Sequence, residues 1–187
     1  MKRMVLVAAL LAHVVPVTAQ DAIDLQKEVL LCAGCHGQNG IPVKPEYPII
    51  WGQEYFYLYR QLRDYATARR DNKIMTAIAA KYSRDQAKAL AQHFAGLTWP
   101  AIQSATEDGD QQTAERAAAG GQCSACHGIW KGNSDVPRLK GQLSGYLKTT
   151  MLDFKHEARM NAPDKIGTMQ KLDDATIAAL ARYLSSL

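Results

Sequence analysis

Beyond its first nineteen residues the 187-residue chain has no run approaching eighteen consecutive apolar residues, which excludes a later membrane-spanning helix on length alone. It also has no lysine and arginine stripe interleaved with aromatics. Only Arg60, Arg63, Arg69 and Arg70 cluster, the pattern of a solvated helix face, so no nucleic acid is expected as partner. A docking patch for an acidic protein is the other reading of that cluster. Cysteine is scarce: there are four, and none is left over once two Cys-x-x-Cys pairs are taken out.

The exceptional stretch is the N-terminus. Lys2 and Arg3 precede an apolar run from Val5 to Val17, too short to span a bilayer comfortably, and Val17-Thr18-Ala19 is a small-residue cleavage site. Residues 1–19 are therefore expected to be a cleaved signal peptide, with the mature chain starting at Gln20; an uncleaved anchor is the alternative. The formal net charge of +4 then falls to +2 with the loss of Lys2 and Arg3.

What the sequence does contain is one motif written twice. Cys32-Ala33-Gly34-Cys35-His36 recurs as Cys123-Ser124-Ala125-Cys126-His127. Such spacing lets two thiols on one turn add across the vinyl groups of a single haem while the next residue brings its imidazole under the iron. Cys-x-x-Cys alone also serves zinc knuckles and thioredoxin-like redox sites. A zinc site would draw four ligands from the two pairs, and a redox disulfide needs no histidine; here each pair carries its own. Two covalently bound haem c groups are expected, with Cys32, Cys35, Cys123 and Cys126 as attachment points and His36 and His127 as iron ligands. Their propionates would bring the holoprotein close to neutral.

The repeat extends well past the motif. Pro48-Ile49-Ile50-Trp51-Gly52-Gln53 answers to Pro137-Arg138-Leu139-Lys140-Gly141-Gln142, Tyr57-Leu58 to Tyr146-Leu147, and Ala89-Leu90-Ala91 to Ala179-Leu180-Ala181. In each copy a helix (about 24–32 and 113–122) leads into the motif, a loop punctuated by glycine and proline follows, and a helix begins near Gln53 or Gln142. A second loop precedes a closing helix, started by Ser83 with Gln86 as a capping box and by Asp173 in the other copy, which packs back over the first helix. The fold class is all-α, with an N-terminal domain at 20–103, a C-terminal domain at 104–187 and a linker about 98–111. Halves of about 84 residues bury little core, so each should be poorly folded without its haem.

An electron carrier closes the second face of each iron with a side chain that stays put in both oxidation states, and thioether sulfur does this while raising the potential. Met75 is the only methionine after the motif in copy one. In copy two Met169 is preferred, with Met160 and His156 as alternatives; strict register with Met75 lands on Asp164 or Lys165, so choosing Met169 requires a loop shift. Each proximal imidazole needs a carbonyl for its other nitrogen, and the Pro48 and Pro137 segments are placed to supply it. Ile50 and Leu139 should rest on the proximal haem faces. Trp51 is a candidate propionate partner, replaced in copy two by the charge of Lys140.

Signal peptide, two Cys-x-x-Cys-His domains, the Pro-x-x-x-Gly-Gln stretch and a methionine before each closing helix together resemble the diheme cytochromes of the c4 family over essentially the whole mature chain. The Met75 to Ser83 stretch and Thr98-Trp99-Pro100 also resemble the diheme cytochrome subunit of flavocytochrome c sulfide dehydrogenases. The resemblance implies two tandem class I cytochrome c domains related by a pseudo-twofold, in the periplasm. It implies electron transfer without substrate turnover between a dehydrogenase or bc1-type donor and a terminal oxidase, and membrane association only through those partners. Permanent docking on a flavin- or quinone-dependent dehydrogenase is the alternative. A diheme enzyme with one open haem is a further one.

Overall fold

The computed structural model describes residues 23–102 and 104–187, so the expected signal peptide lies outside the described residues. Among them are nine helices and no strand beyond a single bridge between Asn133 and Val136. The N-terminal half holds α1 (Leu25–His36), α2 (Tyr55–Ala66), α3 (Lys73–Ala79) and α4 (Arg84–Ala95). The C-terminal half holds α5 (Asp110–Gly120), α6 (Ser124–His127), α7 (Ser144–Lys155), α8 (Pro163–Met169) and α9 (Asp174–Ser186). The closing helix packs over the first in both halves, α4 on α1 and α9 on α5, with α2 and α7 against them. The fold is all-α, and the second half repeats the first.

Local sequence explains where the elements depart from the expected bounds. Asp24 caps α1 by accepting from the Lys27 N–H, and the helix runs through the motif to His36 rather than ending at Cys32. Ala33 favours that continuation, and the chain leaves the helix only at Gly37. In the second half Gly120-Gly121 stop α5, Gln122 takes φ +49°, and α6 restarts within the motif. The two loops expected to hold Met75 and Met169 instead form the short helices α3 and α8; Asn72 caps α3 through the N–H groups of Ile74 and Met75. The closing helices start as the sequence indicates: Ser83 and Gln86 form a reciprocal capping box, and Asp173 accepts from the Thr176 N–H at 2.7 Å.

Gly52 and Gly141 tie each Pro-x-x-x-Gly-Gln loop to its closing helix. Both have positive φ, +65° and +72°, and their N–H groups donate to the Phe94 and Leu184 carbonyls at 2.8 and 2.9 Å. A side chain on Gly52 would also strike the Trp99 backbone. Gln53 and Gln142 follow, and rather than opening α2 and α7 they join the halves. Gln53 accepts from the Arg138 N–H at 2.7 Å and donates to the Arg138 carbonyl at 3.0 Å; Gln142 makes the same pair of bonds to Ile49 at 2.9 and 3.0 Å. Each glutamine thus completes a backbone pairing with the other half, and the reciprocity is that of an approximate twofold. Arg138 also lies over the Trp99 ring, and Arg60 pairs with Asp135.

Among the described residues, the connection between the halves is non-helical only as far as Gly109, because Asp110 opens α5. Arg182 of α9 grips Asp110 with two hydrogen bonds of 2.7 Å, and the carboxylate also accepts from the Glu107 N–H. The Arg182 bonds hold the Asp110 carboxyl below the usual carboxylate range, against the opposing effect of burial. Its stabilisation is therefore complete above about pH 4 and is lost as pH falls through the lowered value. Asp110 is buried but Arg182 is partly exposed, so water screens the pair and Asp110→Asn is expected to cost on the order of 1 kcal/mol at pH 7. Thermal melts should show the gap between variant and wild type closing below about pH 4; a gap independent of pH would contradict this.

Candidate functional site

On α1, Cys32 and Cys35 share one face and His36 follows a full turn after Cys32. His36 is buried, and its Nδ1 lies 2.8 Å from the Pro48 carbonyl; His127 Nδ1 lies 3.2 Å from the Pro137 carbonyl. A carbonyl can only accept, so Nδ1 carries the proton and the Nε2 lone pair is left for a metal. Burial lowers both imidazole pKa values, which keeps that lone pair unprotonated at neutral pH.

The site does not favour the rival chemistries of the motif. Burial, then Glu28, pushes the Cys32 thiol up to about 11, opposite to the depressed thiol of a redox Cys-x-x-Cys. Burial likewise raises Cys123, with Lys165 pulling against it. Among the described residues no group of three or more histidine, cysteine or acidic side chains converges on a metal position, so the two pairs do not pool ligands for zinc.

A second feature sits at the junction of the halves, where Arg70 and Arg159 are both buried. Arg70 donates to Gln61 and Tyr146, and Arg159 to Gln61, Tyr57 and Asn161, all neutral groups. The nearby buried carboxylate, Asp64, is taken by Arg69 and Asn161. Burial raises the Tyr146 hydroxyl, but Arg70 and Arg159 outweigh it and hold the phenol below its usual range. Two buried cations without a bound carboxylate are costly. They fit a cofactor that carries its own carboxylates, as haem does with its propionates, and the Cys, Cys, His donor sets fit its vinyls and iron.

Arg70 thus leaves the solvated face on which the sequence placed it. Neither arginine was identified as a cofactor-binding residue from sequence, nor was the glutamine clamp identified at all. The available signal was their recurrence at one spacing: Arg70 with Arg159, Gln53 with Gln142, Tyr57 with Tyr146. Of the other candidates, Ile50, Leu139 and Trp51 are half-buried, with Ile49 the fully buried member of its pair. Met75 is half-buried on α3. Met169 is buried on α8 in the core cluster with Phe154, Ile177 and Leu184, while Met160 is 52% exposed.

Comparison with known proteins places the chain in a family. The family model for cytochrome c matches residues 106–187. Cytochrome c4 of Thiocapsa roseopersicina is 32% identical over 84% of this chain and 87% of its own. The chain belongs to the cytochrome c4 family. As such it is a diheme electron-transfer protein, an electron carrier and not an enzyme, and it binds haem c covalently. The crystal structure of reduced recombinant cytochrome c4 from Pseudomonas stutzeri superposes with a TM-score of 0.77 at 26% identity, covering 87% of this chain and 96% of that one. The thiosulfate dehydrogenase electron acceptor of Thiomonas intermedia is 30% identical over 85% of this chain and 79% of that relative.

Proposed function

We propose that this chain works in the periplasm, that its domains at 20–103 and 104–187 each attach one haem c, and that it passes single electrons from a dehydrogenase or bc1-type donor to an acceptor such as a terminal oxidase. The observation that carries this is the duplication of a complete donor set in two halves clamped to each other. When bound, haem supplies a one-electron ferric/ferrous couple. The chain's part is to hold it. Cys32, Cys35, Cys123 and Cys126 anchor it, and Pro48 and Pro137 fix the tautomer and direction of the His36 and His127 rings. Met75 would close the first haem iron against exogenous ligands. Among the described residues no helix is long and apolar enough to cross a membrane.

An optical redox titration of the purified holoprotein tests this. The expected result is two reversible one-electron steps, two haems per chain and no carbon monoxide binding when reduced. Carbon monoxide binding at one haem would instead make catalysis there the leading reading.

A second reading, a dedicated acceptor for one dehydrogenase, is favoured by the Thiomonas intermedia relative. Stopped-flow reduction separates the two. Rapid reduction by a thiosulfate- or sulfide-oxidising dehydrogenase, with co-purification, supports the dedicated role; comparable rates with several donors support the general shuttle.

A further inference from the structure

The two halves do not carry the same side chain at equivalent positions of α3 and α8. Helices α3 and α8 are both seven residues long, and each is followed at the same spacing by the cap of its closing helix, Ser83 or Asp173. No loop shift separates them. Residues 73–80 and 163–170 also share one pattern of burial, position for position. In that alignment Met75 corresponds to Lys165, both half-buried, whereas Met169 corresponds to Ala79, both buried.

Ala79 and Met169 face the protein core. Met169 packs with Ala114, Leu147, Met151, Phe154 and Ile177, one full turn beyond the position Met75 holds in the first half. Lys165 lies one turn before Met169 on α8. Helix α8 borders the haem motif, since a Cβ on Gly121 would lie 3.2 Å from both Cys123 Sγ and Thr168 Cγ2. The remaining candidates are poorly placed. Met160 is exposed in the turn before α8, and His156 is the exposed cap of α7.

Building on the two-haem reading, we infer that Lys165, and not Met169, is the sixth ligand of the second iron. Lys165 releases one proton to solvent and its Nζ lone pair forms the bond to iron. A nitrogen donor in place of thioether sulfur makes the second haem the lower in potential. This would set a direction for electron flow between the halves.

The test uses the holoprotein after its haem content has been confirmed as two per chain; fewer would overturn this inference together with the reading beneath it. In the oxidised protein both irons should be low-spin, with a near-infrared sulfur-to-iron band worth one haem. Lys165→Met should double that band. Lys165→Ala should make one haem high-spin and open to carbon monoxide, and Met169→Leu, which preserves core volume, should leave the band unchanged. A wild-type band worth two haems, its halving in Met169→Leu, or a Lys165→Ala spectrum identical to wild type would overturn the inference and leave the two-haem reading standing.

Discussion

Replacing Gln142 by leucine is expected to cost about 2–4 kcal/mol of holoprotein stability and to loosen one half from the other. Gln142 is 2% exposed, and its amide satisfies the Ile49 N–H and carbonyl and the Leu143 N–H. Leucine fills the volume but satisfies none of these groups. Each buried backbone group left unpaired carries a penalty of about 1–3 kcal/mol, partly recovered by relaxation and water. For a chain of this length the loss corresponds to a fall in melting temperature of roughly 5–15 °C. Gln53→Leu should behave alike, because Gln53 serves Arg138 and Glu54 in the mirrored arrangement. Calorimetry of the holoprotein should also show one cooperative transition resolving into two. A shift under about 2 °C would mean that the halves are held by something other than these amides.

That clamp marks the limit of what the sequence reveals. Cys32, Cys35, His36 and their second copies were legible because a haem motif is local: five adjacent residues hold the chemistry. The Ser83 and Gln86 capping box and the Asp173 cap were legible for the same reason, since a cap reaches only three residues ahead. The Pro48 and Pro137 carbonyls were legible through the repeat. Gln53 and Gln142 were taken as the starts of helices because their hydrogen-bond partners lie 85 and 93 residues away, beyond any periodicity. The short helices α3 and α8 were missed because seven residues give too little of a 3.6-residue pattern, although their equal length is what fixes the alignment of Met75 with Lys165.

Arg159→Leu is expected to lower the midpoint potential of at least one haem by several tens of millivolts. The sign follows from charge: a fixed cation favours the reduced, less positive iron, so removing it favours the oxidised form. The size follows from Coulomb's law. A unit charge about 10 Å from an iron, at an effective dielectric of about 20, is worth about 1–2 kcal/mol, or roughly 40–90 mV for a one-electron couple. Arg159 can exert that effect because it is buried, with Gln61, Tyr57 and Asn161 as neutral partners and the Phe154 ring beneath it. Arg60 carries the same charge but is half exposed, where water and salt screen it, so Arg60→Leu should shift either potential by less than about 10 mV. A spectroelectrochemical titration of the two variants beside wild type decides between them. Equal small shifts would show that Arg159 is only structural. A large shift confined to Arg159→Leu would place the buried guanidiniums among the groups that set the driving force for electron transfer, and Arg70→Leu, its counterpart in the repeat, should then act on the potentials with the same sign.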